Sequence, residues 1–304
     1  MRWLSLVAVL SVGCGSPDPT PSMAPVGSME TLSVYTVSYP LQYFAERIGG
    51  AHVNVTFPAP RDVDPASWSP EADTVSAYQR ADVILLNGAN YAKWVATATI
   101  PASKLVDTSL GFADRYITVE DAVVHSHGPE GEHSHGETAF TTWLDPTLAL
   151  EQAAAIRDAL VAARPEHESD FHEGFAELEA DLAAVDRRIE AAIVGGADVV
   201  LVGSRPVYQY FARRYGVSIP SVHFEPTTYP DDDAWHDLEH LLEDHPAKWM
   251  IWEADPIART AERLLEMGID SAVVAPGAGR PGVGDYLSVM EANAAAIEKV
   301  FSSP

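Results

Sequence analysis

The sequence predicts an α/β protein of two lobes, each a parallel sheet flanked by helices, bridged by one long helix. Three observations lead there. From 166 to 193, Phe171, Phe175, Leu178, Leu182, Val185, Ile189 and Ile193 recur at steps of three and four, a single apolar stripe along a helix. On either side of that helix, short β-rich runs alternate with helical ones, the pattern of a parallel sheet covered on both faces. The chain, at 304 residues, is long enough for two modest cores. The likeness of ADVILLNG (81–88) to ADVVLVG (197–203) fits a repeated lobe but is too short to establish one.

Taken in order, residues 32–37 read as a buried strand, and Leu41, Phe44, Ala45 and Ile48 after Pro40 have helical spacing. Gly49-Gly50 ends that helix. Residues 52–57 alternate as a strand, and Ser69-Pro70-Glu71 reads as a cap with proline at the first helical position, opening a helix to about Arg80. A buried strand at 81–88, a short helix at 91–97 and a strand at 104–106 complete the first lobe. Asp145-Pro146 caps a helix to about Ala163, and the long helix follows, ended by Gly195-Gly196. The second lobe reads as strands at 197–203, 217–222, 248–252 and 269–275, with helices at 207–215, 231–244, 256–267 and 285–301.

Composition narrows the function classes. With 44 acidic against 19 basic residues the net charge is −25, which argues against nucleic acid, whose phosphates require basic patches. That charge serves solubility and is compatible with a cationic solute. At the N-terminus, Met1-Arg2 precedes an apolar run at 3–12, of signal-peptide length and too short to span a bilayer. Cys14, the only cysteine, follows in Gly13-Cys14-Gly15-Ser16-Pro17, a context with nothing to bury it. This stretch resembles a bacterial lipoprotein signal, which implies lipidation at Cys14 and a membrane contact through the acyl chain alone. The Pro- and Ser-rich residues after it read as a tether. The expected organisation is a signal peptide at 1–14, a tether at 15–30, a first lobe at 31–163, a linking helix at 164–195 and a second lobe at 196–304.

The order of motifs resembles a known family. The pieces are Ser38-Tyr39-Pro40-Leu41 with Ile48-Gly49-Gly50, Asp64-Pro65, Trp68-Ser69-Pro70, and Ala81-Asp82-Val83 with Asn87-Gly88. A His-rich loop, Trp143-Leu144-Asp145-Pro146, Tyr210-Phe211, Arg214-Tyr215-Gly216 and Asp285-Tyr286-Leu287 with Met290 and Asn293 follow. Together they are similar to the solute-binding proteins of bacterial zinc and manganese ABC importers. The resemblance covers nearly all of 32–301. It implies two α/β lobes, a rigid connecting helix, a ligand in the cleft between lobes, a monomer in the cell envelope or periplasm, and a membrane permease as partner. It also implies four metal-ligand positions, which are Ala66, Thr141, Arg205 and Ala275 here. None of these is a zinc ligand, and a fixed guanidinium repels a divalent cation.

Other residues could carry chemistry. The loop 124–138 holds His125, His127, His133 and His135 with Glu130 and Glu132 between the pairs, a set able to wrap zinc without a preformed cage. It reads equally as a polar insertion that binds metal adventitiously. Arg205, with Thr141, Trp68 and Trp143 nearby by the same resemblance, could hold an anion or small organic ligand. The competing expectation is an internal ion pair of Arg205 with Glu253 or Asp255 that closes the site. His236 and His240 match an H-x-x-E-H metalloprotease pattern. Trp235, Leu238, Leu241 and Leu242 form the core stripe of that helix, however, which turns both histidines to solvent. Gly277-Ala278-Gly279-Arg280-Pro281-Gly282 matches G-x-G-x-x-G but lacks the following βαβ unit of a dinucleotide site. The expected function is therefore non-enzymatic: metal handling for an importer with zinc in the His loop, or a binding module or scaffold with a changed cleft.

Overall fold

The computed structural model describes residues 31–61, 63–119, 137–195 and 199–302. Its first lobe rests on an all-parallel sheet of β1 (Leu32–Thr36), β2 (Val53–Thr56), β3 (Val83–Leu86) and β4 (Leu105–Asp107), in the order β2-β1-β3-β4. Val34 sits at the centre, in register with Val55 on one side and Val83 on the other. Helices α1 (Tyr39–Gly49) and α2 (Ala72–Arg80) supply the crossovers that parallel strands require. Two short strands, β5 (Thr118–Val119) and β6 (Glu137–Thr138), pair antiparallel. Helix α3 (Pro146–Ala163) starts where expected, with the Asp145 carboxylate accepting from the Thr147 N–H at 2.9 Å.

The long helix α4 (Glu168–Val194) carries the predicted stripe, with Phe171, Leu178, Leu182, Val185 and Ile189 buried. At about 1.5–3 kcal/mol for each large apolar side chain, that burial outweighs its weak intrinsic preference. The second lobe holds a parallel sheet of β7 (Leu201–Gly203), β8 (Trp249–Trp252) and β9 (Asp270–Val273). Its helices are α5 (Gln209–Tyr215), α6 (Asp232–Asp244), α7 (Ala258–Glu266) and α8 (Tyr286–Ser302). Alternation along β7 and β8 divides the side chains between two cores. Leu201, Trp249 and Ile251 join a core continuous with α4 and the first lobe. Val202, Met250 and Trp252 join a second core with Phe224, Trp235 and Leu238 of the outer face.

Three local expectations need correction. The helix predicted to open at Ser69-Pro70-Glu71 begins at Ala72, with extended Glu71 (ψ 163°) at the cap and no side-chain cap bond. The chain is instead committed upstream, where Ser67 and Trp68 N–H groups turn back to the Asp64 carbonyl and Trp68 packs edge-on against Trp94. The strand predicted at 217–222 reduces to a single bridge between Gly203 and Ser221. Pro220 has no N–H to continue a ladder. The short helix predicted at 91–97 is a 3-10 turn at Lys93–Ala96. It follows the left-handed residues Gly88, Ala89 and Asn90 (φ 72°, 47° and 58°), a conformation that interrupts any helical start.

Candidate functional site

In open parallel sheets, ligand sites gather beyond the carboxyl ends of the strands. Here those ends deliver Ser38 after β1, Asn87-Gly88 after β3, Ser204-Arg205 after β7 and Glu253 after β8. The two lobes meet around them through specific bonds. Trp143 Nε1 donates across to the Pro276 carbonyl at 2.7 Å, while within the second lobe Tyr208 donates to the Val274 carbonyl at 3.0 Å. The Tyr39 N–H donates to the Ala278 carbonyl at 3.0 Å, and Arg280 Nε donates to Gln42 Oε1 at 3.0 Å. The segment after β9 is thereby pinned against α1 and the start of α3.

Arg205 is the charged centre of this region. Its Nη1 lies 3.3 Å from Glu225 Oε1 and its Nε lies 3.3 Å from Glu253 Oε1. The second contact has ion-pair distance but lacks hydrogen-bond alignment, so Glu253 Oε1 is buried without a true hydrogen bond. The Glu253 side chain is 24% exposed and that of Arg205 36%. Burial pushes the Glu253 carboxyl above the usual glutamate range; Arg205 pulls it back, while Glu225 and Asp64 push it up again. Asp64 also acts on Tyr91, whose phenol is raised first by burial and then by that carboxylate. Glu225 and Glu253 thus face the Arg205 guanidinium directly, and Asp64 adds a third negative charge acting on Glu253. Ser38 Oγ, Tyr91 OH and Ser204 Oγ are buried in the same region, without hydrogen-bond partners among the described residues.

The other expected positions have other employment. Ala66 lies in the Asp64 turn, its N–H bonded to Asp64 Oδ1 at 3.0 Å. Buried Thr141 donates its hydroxyl to the Val207 carbonyl at 2.6 Å. Ala275 is clamped by Asn293, which accepts from its N–H and donates to its carbonyl, both at 2.8 Å. Trp143 is buried against Tyr91, with its single donor taken by Pro276, and Trp68 packs on Trp94. His236 and His240 stand exposed on α6, with their Nε2 atoms 3.0 Å apart. Of the expected ion-pair partners, Glu253 meets Arg205, and the second acid is Glu225 where Asp255 was the alternative. Glu225 stands just beyond the run predicted as a strand at 217–222, and no local pattern in the sequence marks it as the partner of Arg205. The loop histidines His125, His127, His133 and His135 lie outside the described residues, as does Cys14.

The sequence profile described as "ZnuA: Zinc-uptake complex component A periplasmic" matches residues 34–300. The chain belongs to the ZnuA family. It is 24% identical over 282 residues to the zinc-binding protein AdcA of Streptococcus pyogenes serotype M3, covering 86% of this chain and 54% of that protein. The chain therefore spans about half the length of that relative. It is 24% identical over 237 residues to the manganese-binding lipoprotein MntA of Bacillus subtilis, covering 76% and 71%. The Zn(II)-bound ZnuA-like domain of Streptococcus pneumoniae AdcA superposes with a TM-score of 0.76 at 20% identity, covering 90% of this chain and 100% of that domain. At that identity the likeness is one of fold. The ZnuA family consists of extracytoplasmic solute-binding proteins of zinc and manganese ABC importers, a non-enzymatic class. Among the described residues of this ZnuA-family chain, no helix is long and apolar enough to cross a membrane.

Proposed function

We propose that this ZnuA-family protein handles zinc for a metal ABC importer with a cleft whose cation position is filled by its own Arg205, and that zinc capture falls to the loop 124–138 through His125, His127, His133 and His135. The observation that carries the reading is the Arg205 guanidinium held between Glu225 and Glu253. A divalent ion brought to about 4 Å from a guanidinium meets a repulsion on the order of 8 kcal/mol at an effective dielectric of about 20. To enter, it must strip Arg205 from its carboxylates. An anionic or small organic solute at Arg205 has less support, because three acids outnumber the one cation there. The chain's own ions close the cleft from within.

The rest of the reading follows the family. Cys14 carries the acyl group, the chain works as a monomer on the outer face of a membrane, and a permease is its partner. The test is a calorimetric zinc titration of the protein with and without 124–138, beside Arg205→Ala. Removing the loop abolishes the tightest zinc equivalent, and Arg205→Ala leaves that equivalent in place. A titration indifferent to the loop overturns the assignment.

A further inference from the structure

Where the first lobe meets the start of the linking helix, apart from the residues around Arg205, three side chains converge that the proposed zinc route does not use. His52 ends a 3-10 turn at Gly50–His52, directly after α1. His167 occupies the N-cap of α4, and Asp170 lies in its first turn. His52 Nε2 is 2.8 Å from Asp170 Oδ2. The two imidazoles stack with centroids 3.7 Å apart and planes 18° from parallel. One ligand atom from each of the three lies within 4.8 Å of the others. Among the described residues no other set of three His, Cys, Asp or Glu side chains brings its ligand atoms this close, and Asp64, Glu225 and Glu253 do not.

We infer that His52, His167 and Asp170 form a second site for a borderline divalent metal such as zinc, one that clamps the end of α1 to the start of α4. Two imidazoles and one carboxylate match the preferences of such an ion, and water completes the shell. Around a tetrahedral zinc with bonds of about 2.0–2.1 Å, ligand atoms stand about 3.3 Å apart. The separations close by at most about 1.5 Å, within reach of side-chain rotation. The base is fixed while the mouth is open. The His52 side chain is only 16% exposed and rests edge-on against buried Phe171, whereas Asp170 is 58% exposed. The backbone supports the approach: a Cβ on Gly174 would lie 2.6 Å from the Arg47 carbonyl oxygen, so glycine at this position lets α1 and α4 touch. The positive end of the α4 dipole opposes a cation, at roughly 0.3–1 kcal/mol. Glu166, Glu168 and Asp170 supply three negative charges at the same end and reverse that balance.

The test uses the full chain with the four loop histidines changed to alanine, so that loop binding cannot mask the site. Zinc and cobalt(II) are the probes, read by calorimetry, by thermal unfolding and by the cobalt absorption band. The expected result is one equivalent, a rise in Tm with zinc, and a cobalt band indicating nitrogen and oxygen ligands. His52→Gln or His167→Gln abolishes all three, while His236→Gln changes none. Asp170→Asn keeps a hydrogen bond to His52 and so serves as the control for a merely structural role; it weakens zinc by about tenfold or more, as loss of a charged ligand requires. Absence of binding in the loop-substituted chain, or binding insensitive to His52→Gln, overturns the inference. Because the loop histidines are already gone, its failure is distinguishable from failure of the loop assignment.

Discussion

Replacing Arg205 by alanine removes the cation that pairs with Glu225 and Glu253. Glu253 is left as a mostly buried carboxylate facing two like charges. Breaking a fully buried pair from one side costs about 3–5 kcal/mol. Here both partners retain access to water, at 36% and 24% of their side chains, and the loss falls to about 1–2 kcal/mol. In a protein of this size that is a fall in Tm of about 2–3 °C. The pH dependence has a definite sign. Glu253 is already raised above the glutamate range, and losing Arg205 raises it further. Its ionised form therefore weakens the fold at neutral pH, and stability returns as pH falls through the raised value. Thermal unfolding followed by circular dichroism at pH 7 and pH 5 reads both effects. The variant is less stable at pH 7, and the gap narrows at pH 5. An Arg205→Ala protein as stable as the parent at pH 7, or one whose deficit grows in acid, would refute the reasoning.

Three further substitutions probe the frame of the cleft. Asp285 caps α8 by accepting from the Ser288 N–H at 2.9 Å, and Asp285→Ala costs about 1 kcal/mol at pH 7 in denaturant titration. The Ser288 hydroxyl and then its N–H hold the Asp285 carboxyl below the usual aspartate range, so its contribution is present above that range and lost as pH falls through the lowered value. The gap between parent and variant should accordingly close in acid. Gly174→Ala gains about 1 kcal/mol of helix propensity but drives a methyl against the Arg47 and Ile48 carbonyls at 2.6 and 2.8 Å; overpacking of about 1–3 kcal/mol wins. Calorimetry showing a higher Tm for Gly174→Ala would contradict the close approach of α1 and α4. Trp143→Phe deletes the bond to the Pro276 carbonyl and opens space beside Tyr91, for a loss of about 2–4 kcal/mol by chemical unfolding, with no loss of loop zinc binding.

Periodicity makes most of the frame legible in the sequence. The stripe on α4, the Asp145 cap and the alternating strands each follow from local rules acting on adjacent residues. The failures are where a distant contact decides. Trp68 against Trp94 delays the start of α2, and Pro220 breaks a run whose composition is that of a strand. Around Arg205, the Glu253 partner was readable because it ends a strand, as ligand-facing residues in parallel sheets do. Glu225 was not, because no local pattern marks which of 44 acids will face one arginine. The cluster of His52 and Asp170 was further out of reach: the two stand 118 positions apart, brought together by the packing of α1 on α4 at Gly174 and by the Arg47–Asp181 ion pair.

The central claim is that the cleft itself holds no divalent metal. Its most direct test is a zinc titration of the chain lacking 124–138 and carrying His52→Gln, which removes both proposed zinc routes and leaves Arg205 in place. The account predicts no tight binding. A tight one-to-one equivalent in that protein would place zinc in the cleft beside Arg205, and would contradict it.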